Sequence, residues 1–127
     1  TLIANYKKHA IQIAEVTKEG LDADGGLWYE YDPEKNELIA EKHWWPQAEA
    51  LIGFYNAYQL TGKEEYLEIV FENWDFIKKH ILDLKNGEWI WGIYRDYSPI
   101  EKDKAGFWKC PYHNSRACLE LINRIKT

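Results

Sequence analysis

Two clusters in this chain carry residue types and spacings that could do chemistry. The first is His43-Trp-Trp-Pro-Gln-Ala-Glu49. Proline suits the first turn of a helix, so a helix opening at Pro46 puts Trp45 at its cap and Glu49 one turn in, near the same face. An indole beside a carboxylate is a pairing suited to sugars: the ring covers a C–H face and the acid accepts hydroxyls. The plainer alternative has Trp44 and Trp45 as core staples and Glu49 as a first-turn acid favoured by the helix dipole. The second cluster is Phe107-Trp-Lys-Cys-Pro-Tyr-His-Asn-Ser-Arg116. On a helix His113 and Arg116, three apart, share a face. A helix N-terminus and a guanidinium both disfavour an imidazolium, which leaves a neutral ring able to accept a proton. The alternative here is a hydrogen-bonded histidine and a surface arginine.

The remaining reactive residues point nowhere as specific. His9 and His80 lie among charged helix residues and are expected at the surface, and His43 is left open. Cys110 and Cys118 lack Cys-X-X-Cys or His-X-X-X-His spacing, so no zinc site is expected. His113 could serve Cys110 as a base, but a cysteine before proline at a helix start is expected to pack. There is no Gly-rich phosphate loop, Ser-His-Asp pattern or nucleotide fingerprint, and neither metal nor cofactor is expected.

The elements that must position these clusters follow from periodicity. Leu2 to about Lys18 places Leu2, Tyr6, Ala10, Ile13 and Ala14 on one stripe of an amphipathic helix ended by Gly20. Pro46 to Leu60 is apolar nearly all round and predicts a buried helix. Thr61-Gly62 breaks the chain before an outer helix from about Glu64 to Leu82, with Leu67, Val70, Trp74, Ile77 and Ile81 inward. A last helix runs to about Ile125. Short aromatic hairpins are expected near residues 25–31 and 87–94. The halves echo each other: Gly26-Leu-Trp28 returns 61 residues on as Gly87-Glu-Trp89, and Trp45-Pro46 returns 65 residues on as Cys110-Pro111. Helix pairs repeated at this period signal a solenoid or closed helical toroid, whose inner helices aim both clusters at one central pocket.

Composition sets the outer limits. At 127 residues the chain is one domain that can bury a core without disulfide or metal staples. With 46% apolar and 29% charged residues it is neither disordered nor membrane-embedded. Sixteen basic against 21 acidic residues give a net charge of -5 without a basic cluster, so neither nucleic acid nor a membrane surface is an expected partner. The unpaired cysteines read as reduced thiols of a cytoplasmic protein. Seven tryptophans among 16% aromatics exceed the needs of a small core and favour a planar or sugar ligand. Two repeats rarely stand alone, the chain lacks methionine, and it starts inside a helical pattern. A fragment of a longer chain is therefore expected, marginally stable or self-associating through exposed apolar surface.

Glu41-Lys-His-Trp-Trp-Pro-Gln-Ala-Glu-Ala50 and Lys104-Ala-Gly-Phe-Trp-Lys-Cys-Pro-Tyr-His-Asn-Ser-Arg116 resemble the C-terminal third of the cellobiose (mannobiose) 2-epimerase branch of the N-acylglucosamine 2-epimerase superfamily. The resemblance covers essentially the whole chain. It implies an all-α fold, with residues 1–127 supplying about two hairpins at the C-terminal end of an (α/α)6 barrel whose N-terminal part is missing. It also implies cofactor-independent epimerisation at C2 of a reducing-end sugar through a cis-enediolate, with histidines on opposite faces. By that resemblance His113 matches one proton-transfer histidine, Glu49 an essential carboxylate, and Trp45 and Trp108 the sugar-lining aromatics. Arg116 supports His113 or the substrate oxygens. The partner histidine and an enediolate-steadying arginine lie upstream in the family, so this chain alone should not epimerise efficiently. A carbohydrate-binding domain without catalysis and a structural α/α-hairpin module are the competing readings.

Overall fold

The computed structural model describes residues 1–126, in which four helices follow one another as two repeats and pack together mainly through the second helix. Helix α1 (Leu2–Thr17) opens under a Thr1 hydroxyl that accepts from the Ala4 N–H, and runs into a 3-10 turn at Lys18–Gly20. Helix α2 (Trp44–Thr61) begins two residues before the proline. Pro46 is still tolerated there, because the first turn of a helix has no intrahelical acceptors for its N–H groups. The helix ends at Gly62, whose left-handed φ of 69° turns its N–H back to the Tyr58 carbonyl.

Helix α2 is the centre of the molecule. It packs on α1, on α3 (Glu64–Phe76) and on α4 (Tyr112–Ile125), which explains why its sequence is apolar on nearly every side. Buried Ala48, Leu51, Phe54 and Ala57 join Tyr66, Val70, Phe76 and Ile77 in one core. Past Phe76 the third helix widens into a π-helical turn, Ile77–Ile81, which keeps Ile77 and Ile81 buried. The apolar stripe of α1 behaves differently from its pattern. Only Ala14 of that helix is buried, and Leu2, Tyr6 and Ile13 are about two-thirds exposed. Helix α1 meets the rest chiefly through α2, so most of its stripe has no covering element among the described residues.

The strands also depart from expectation. A hairpin does form, but over β1 (Glu30–Asp32), which takes up the end of the aromatic run, and β2 (Glu37–Ile39). The run at 87–94 ends in β4 (Gly92–Tyr94), which pairs antiparallel with β3 (Glu41–His43) of the other repeat, Lys42 opposite Ile93 and His43 opposite Gly92. The two Gly-rich aromatic loops instead close on themselves through the bridges Leu21–Leu27 and Leu82–Trp89.

Each loop is stapled by a buried lysine. Lys42 Nζ donates to Asp22 at 2.6 Å and to Asp24 at 2.7 Å, and lies 4.2 Å from the Trp28 ring centroid. In the second repeat Lys109 Nζ donates to Glu88 at 3.1 Å and to the carbonyls of Trp89 and Lys104, both at 2.8 Å. A buried ammonium without such partners would be strongly destabilising, so each lysine obliges its loop to stay closed.

The β3–β4 contact leaves no room at Gly92. A Cβ there would stand 2.5 Å from the Lys42 carbonyl oxygen and 2.9 Å from His43 Cα, both backbone atoms. Gly92→Ala is therefore expected to cost about 1–3 kcal/mol, the range for overpacking a closely fitted interior. A denaturant melt of the intact protein reads this directly, and an unchanged midpoint would contradict the described strand spacing.

Candidate active site

The site is assembled by the first turns of the two inner helices. Glu49 stands on α2, one turn above Trp45, and reaches across to α4. There the His113 Nδ1 lies 2.8 Å from Glu49 Oε1, and the Arg116 guanidinium donates to Glu49 Oε2. One carboxylate thus holds both residues that the α4 spacing puts on a common face. The arginine serves the carboxylate rather than touching the histidine, and it is half-buried rather than a surface cation.

The electrostatics follow from that bridge. Burial pushes the Glu49 carboxyl up, but the hydrogen bonds from His113 and Arg116 outweigh it, and the net shift is below the usual value. The hydrogen bond to Glu49 likewise holds Arg116 more firmly charged. An ionised carboxylate only accepts, so the Nδ1 of His113 must carry the proton it shares with Glu49. In the neutral ring that leaves Nε2 as the open lone pair, the atom free to take a proton from a ligand.

The first-turn tryptophans divide the two roles the sequence left open. Trp44 is buried in the core, whereas Trp45 is exposed with its ring centroid 6.0 Å from His113 and 6.3 Å, edge-on, from Tyr29. Trp28, Tyr29, Trp45 and Glu49 join Ile13, Ala14 and Phe54 around an open, mostly apolar cleft of about 430 Å³ between α1 and α2, whose lining does not include His113 or Arg116. Tyr29, which sequence reasoning passed over, stacks on His43 at 4.0 Å. His43 itself is buried, with Nε2 2.6 Å from Glu41, and burial keeps its pKa low despite that carboxylate. It braces the wall of the cleft.

Trp108 lies elsewhere. It is exposed, packs edge-on against Phe107 at 4.9 Å, and lines a second cleft of about 420 Å³ with Trp91, Glu101, Lys102 and Asp103. The structure brings Trp45, Glu49, His113 and Arg116 together and leaves Trp108 facing different neighbours. Two minor expectations also change. Cys110 is exposed rather than packed, with the half-buried Cys118 likewise a free thiol. His80 is not purely a surface residue, because its ring lies 4.7 Å from Tyr97 and 5.2 Å from Phe76. Among the described residues no group of three or more His, Cys, Asp or Glu side chains could hold a metal ion, and no helix is long and apolar enough to cross a membrane.

The paired helices thus place a histidine–carboxylate contact at the N-termini of the inner pair, α2 and α4. The profile of the N-acylglucosamine 2-epimerase (GlcNAc 2-epimerase) family matches residues 5–117, and the chain belongs to that family. It is 43% identical over 122 residues to the cellobiose 2-epimerase of Bacteroides fragilis, covering 95% of this chain and 31% of that protein. The fold superposes on a sugar epimerase from a ruminal bacterium with a TM-score of 0.88 at 39% identity, over 95% of this chain and 31% of that one. For the cellobiose 2-epimerase of Bacillus thermoamylovorans the TM-score is 0.84 at 42% identity, over 90% and 29%. The chain therefore spans about a third of the length of the relatives it matches, as a segment of their helical barrel.

Proposed function

We propose that the protein carrying this chain is a cofactor-independent sugar 2-epimerase acting on the reducing-end glucose or mannose unit of a cellobiose-type sugar. The observation that carries the reading is the Glu49-bound His113 beside Trp45. In the open-chain aldose the C2–H is acidified by the adjacent aldehyde. The Nε2 of His113 takes that proton, and the C–H electron pair moves into the C1–C2 bond while the carbonyl oxygen becomes an enediolate oxygen. A protonated group on the opposite face then acts as the acid and delivers its proton to C2, inverting it, and the carbonyl re-forms. The same steps run in reverse, so His113 is the acid in one direction and the base in the other.

Glu49 fixes the ring of His113 and stabilises the imidazolium formed after proton transfer, and Arg116 keeps that carboxylate ionised. Trp45 covers a sugar face, and Trp108 offers a platform for a second sugar ring. The opposite-face histidine and an enediolate-binding arginine belong to the remaining hairpins, so this chain alone does not epimerise. Those hairpins also cover the exposed stripe of α1, which in isolation would draw two copies together. Two unpaired thiols fit a cytoplasmic setting.

Isotope washout tests the reading. Cellobiose deuterated at C2 should lose its label to water when incubated with the intact protein, as mannose appears at the reducing end. Full retention of the label, with tryptophan quenching still reporting binding, would establish a carbohydrate-binding module instead.

A further inference from the structure

Helix α4 starts without a side-chain cap: Pro111 occupies the cap position and no side chain accepts from the first-turn N–H groups. Its first turn, on which His113 stands, must therefore be placed by tertiary contacts. One is the Glu49 bond already described. The other lies one residue on, where buried Asn114 donates its Nδ2 to Glu88 Oε1 at 2.9 Å. Glu88 belongs to the Gly-rich loop of the second repeat, and the same oxygen accepts from buried Lys109 at 3.1 Å. Lys109 in turn is fastened to the carbonyls of Trp89 and Lys104. Glu88 also holds a left-handed φ of 61°, a conformation disfavoured for a residue with a Cβ and common where the surroundings over-determine it.

Two carboxylates thus pull on neighbouring positions of one helical turn from two directions, Glu49 from α2 on His113 and Glu88 from the loop on Asn114. Neither contact alone fixes both the depth and the rotation of that turn. We infer that Asn114 and Glu88, backed by Lys109, form a positioning pair that sets the rotation of α4 and so keeps His113 Nδ1 on Glu49. This inference rests on the epimerase reading for its kinetic consequence, and on geometry alone for its effect on the histidine. Asn114 touches no substrate. Its effect on turnover passes through the tautomer and aim of His113.

Asn114→Ala in the intact protein removes the tether while leaving Glu88 paired with Lys109, so no buried charge is orphaned. The expected result is a kcat for cellobiose about 10–100-fold lower, the size of effect seen when a supporting hydrogen bond behind a functional group is removed. KM should stay within about 2-fold, since sugar contacts are unchanged. Nitrogen-15 spectra of histidine-labelled protein should show His113 passing from a single Nδ1–H tautomer to a mixture. Asn114→Asp, of the same size but repelled by Glu88, should do the same and covers the case in which the alanine variant misfolds. A lowered melting temperature with unchanged kcat and tautomer would overturn the inference and leave Asn114 a structural residue. If His113→Asn kept full activity, the epimerase reading would fail on its own, and the tautomer spectrum would still decide whether Asn114 and Glu88 position the ring.

Discussion

His113→Asn is expected to lower kcat of the intact protein by roughly 10²–10⁴-fold, the contribution typical of a positioned acid–base group. Asparagine keeps an N–H donor toward Glu49, so the bridge between α2 and α4 can survive, but it carries no basic nitrogen. His113 is half-buried and outside the apolar core, and the melting temperature should change little. Loss of C2–deuterium washout should accompany the fall in kcat, because the same proton transfer underlies both. Retention of washout within about 10-fold of the wild type would remove His113 from the proton-transfer role, given that general catalysis of this kind is worth at least about 10².

Glu49→Gln should be nearly as severe, by about 10²-fold or more in kcat, because the group that orients a catalytic imidazole also fixes its tautomer. A neutral amide can present its N–H₂ to Nδ1 and so stabilise the wrong tautomer, with the proton on Nε2. The change should also alter the acid limb of stability. In the folded protein Glu49 binds its proton less readily than an ordinary carboxyl, since His113 and Arg116 outweigh the effect of burial. The unfolded chain therefore takes up that proton first as pH falls. The stability contributed by the bridge is complete above the ordinary carboxyl pKa and is lost as pH falls through the depressed folded value. Thermal melts across that acid range should be shallower in pH for Glu49→Gln than for the wild type. Parallel curves would mean that Glu49 is not linked to folding through these partners.

What could be read in advance, and what could not, divides by the range of the interactions. The boundaries of α2 and α3 are marked by local chemistry: Thr61-Gly62 stops one helix, and Glu64 and Glu65 favour the first turn of the next. The repeat, which puts the two inner helix starts in equivalent places, made the nearness of Trp45, Glu49, His113 and Arg116 legible, but not the position of Trp108, which was expected beside them and lines another cleft. The buried lysines were not legible either. Lysine ordinarily keeps its ammonium in water, and Lys42 and Lys109 are exceptions only because acceptors about 20 residues away close over them. Their shared place, just ahead of an inner helix in both repeats, was the available signal. The partner of β4 was equally hidden, since a three-residue strand carries too little pattern to name a mate 50 residues upstream.

That strand pairing bears on the order in which the molecule folds. The chain between Glu41 and Tyr94 turns through two helices, so pairing these strands carries a loop-closure entropy that a local hairpin would not. Each repeat completes an edge of the other, and Glu49 and His113 lie on opposite sides of the same seam. The smallest cooperative unit is then the pair of repeats rather than the single hairpin, unlike a solenoid in which neighbours merely stack. Cutting the chain at the Gly62 turn would leave two halves that each expose an unpaired strand and carry half of a proton-transfer bridge.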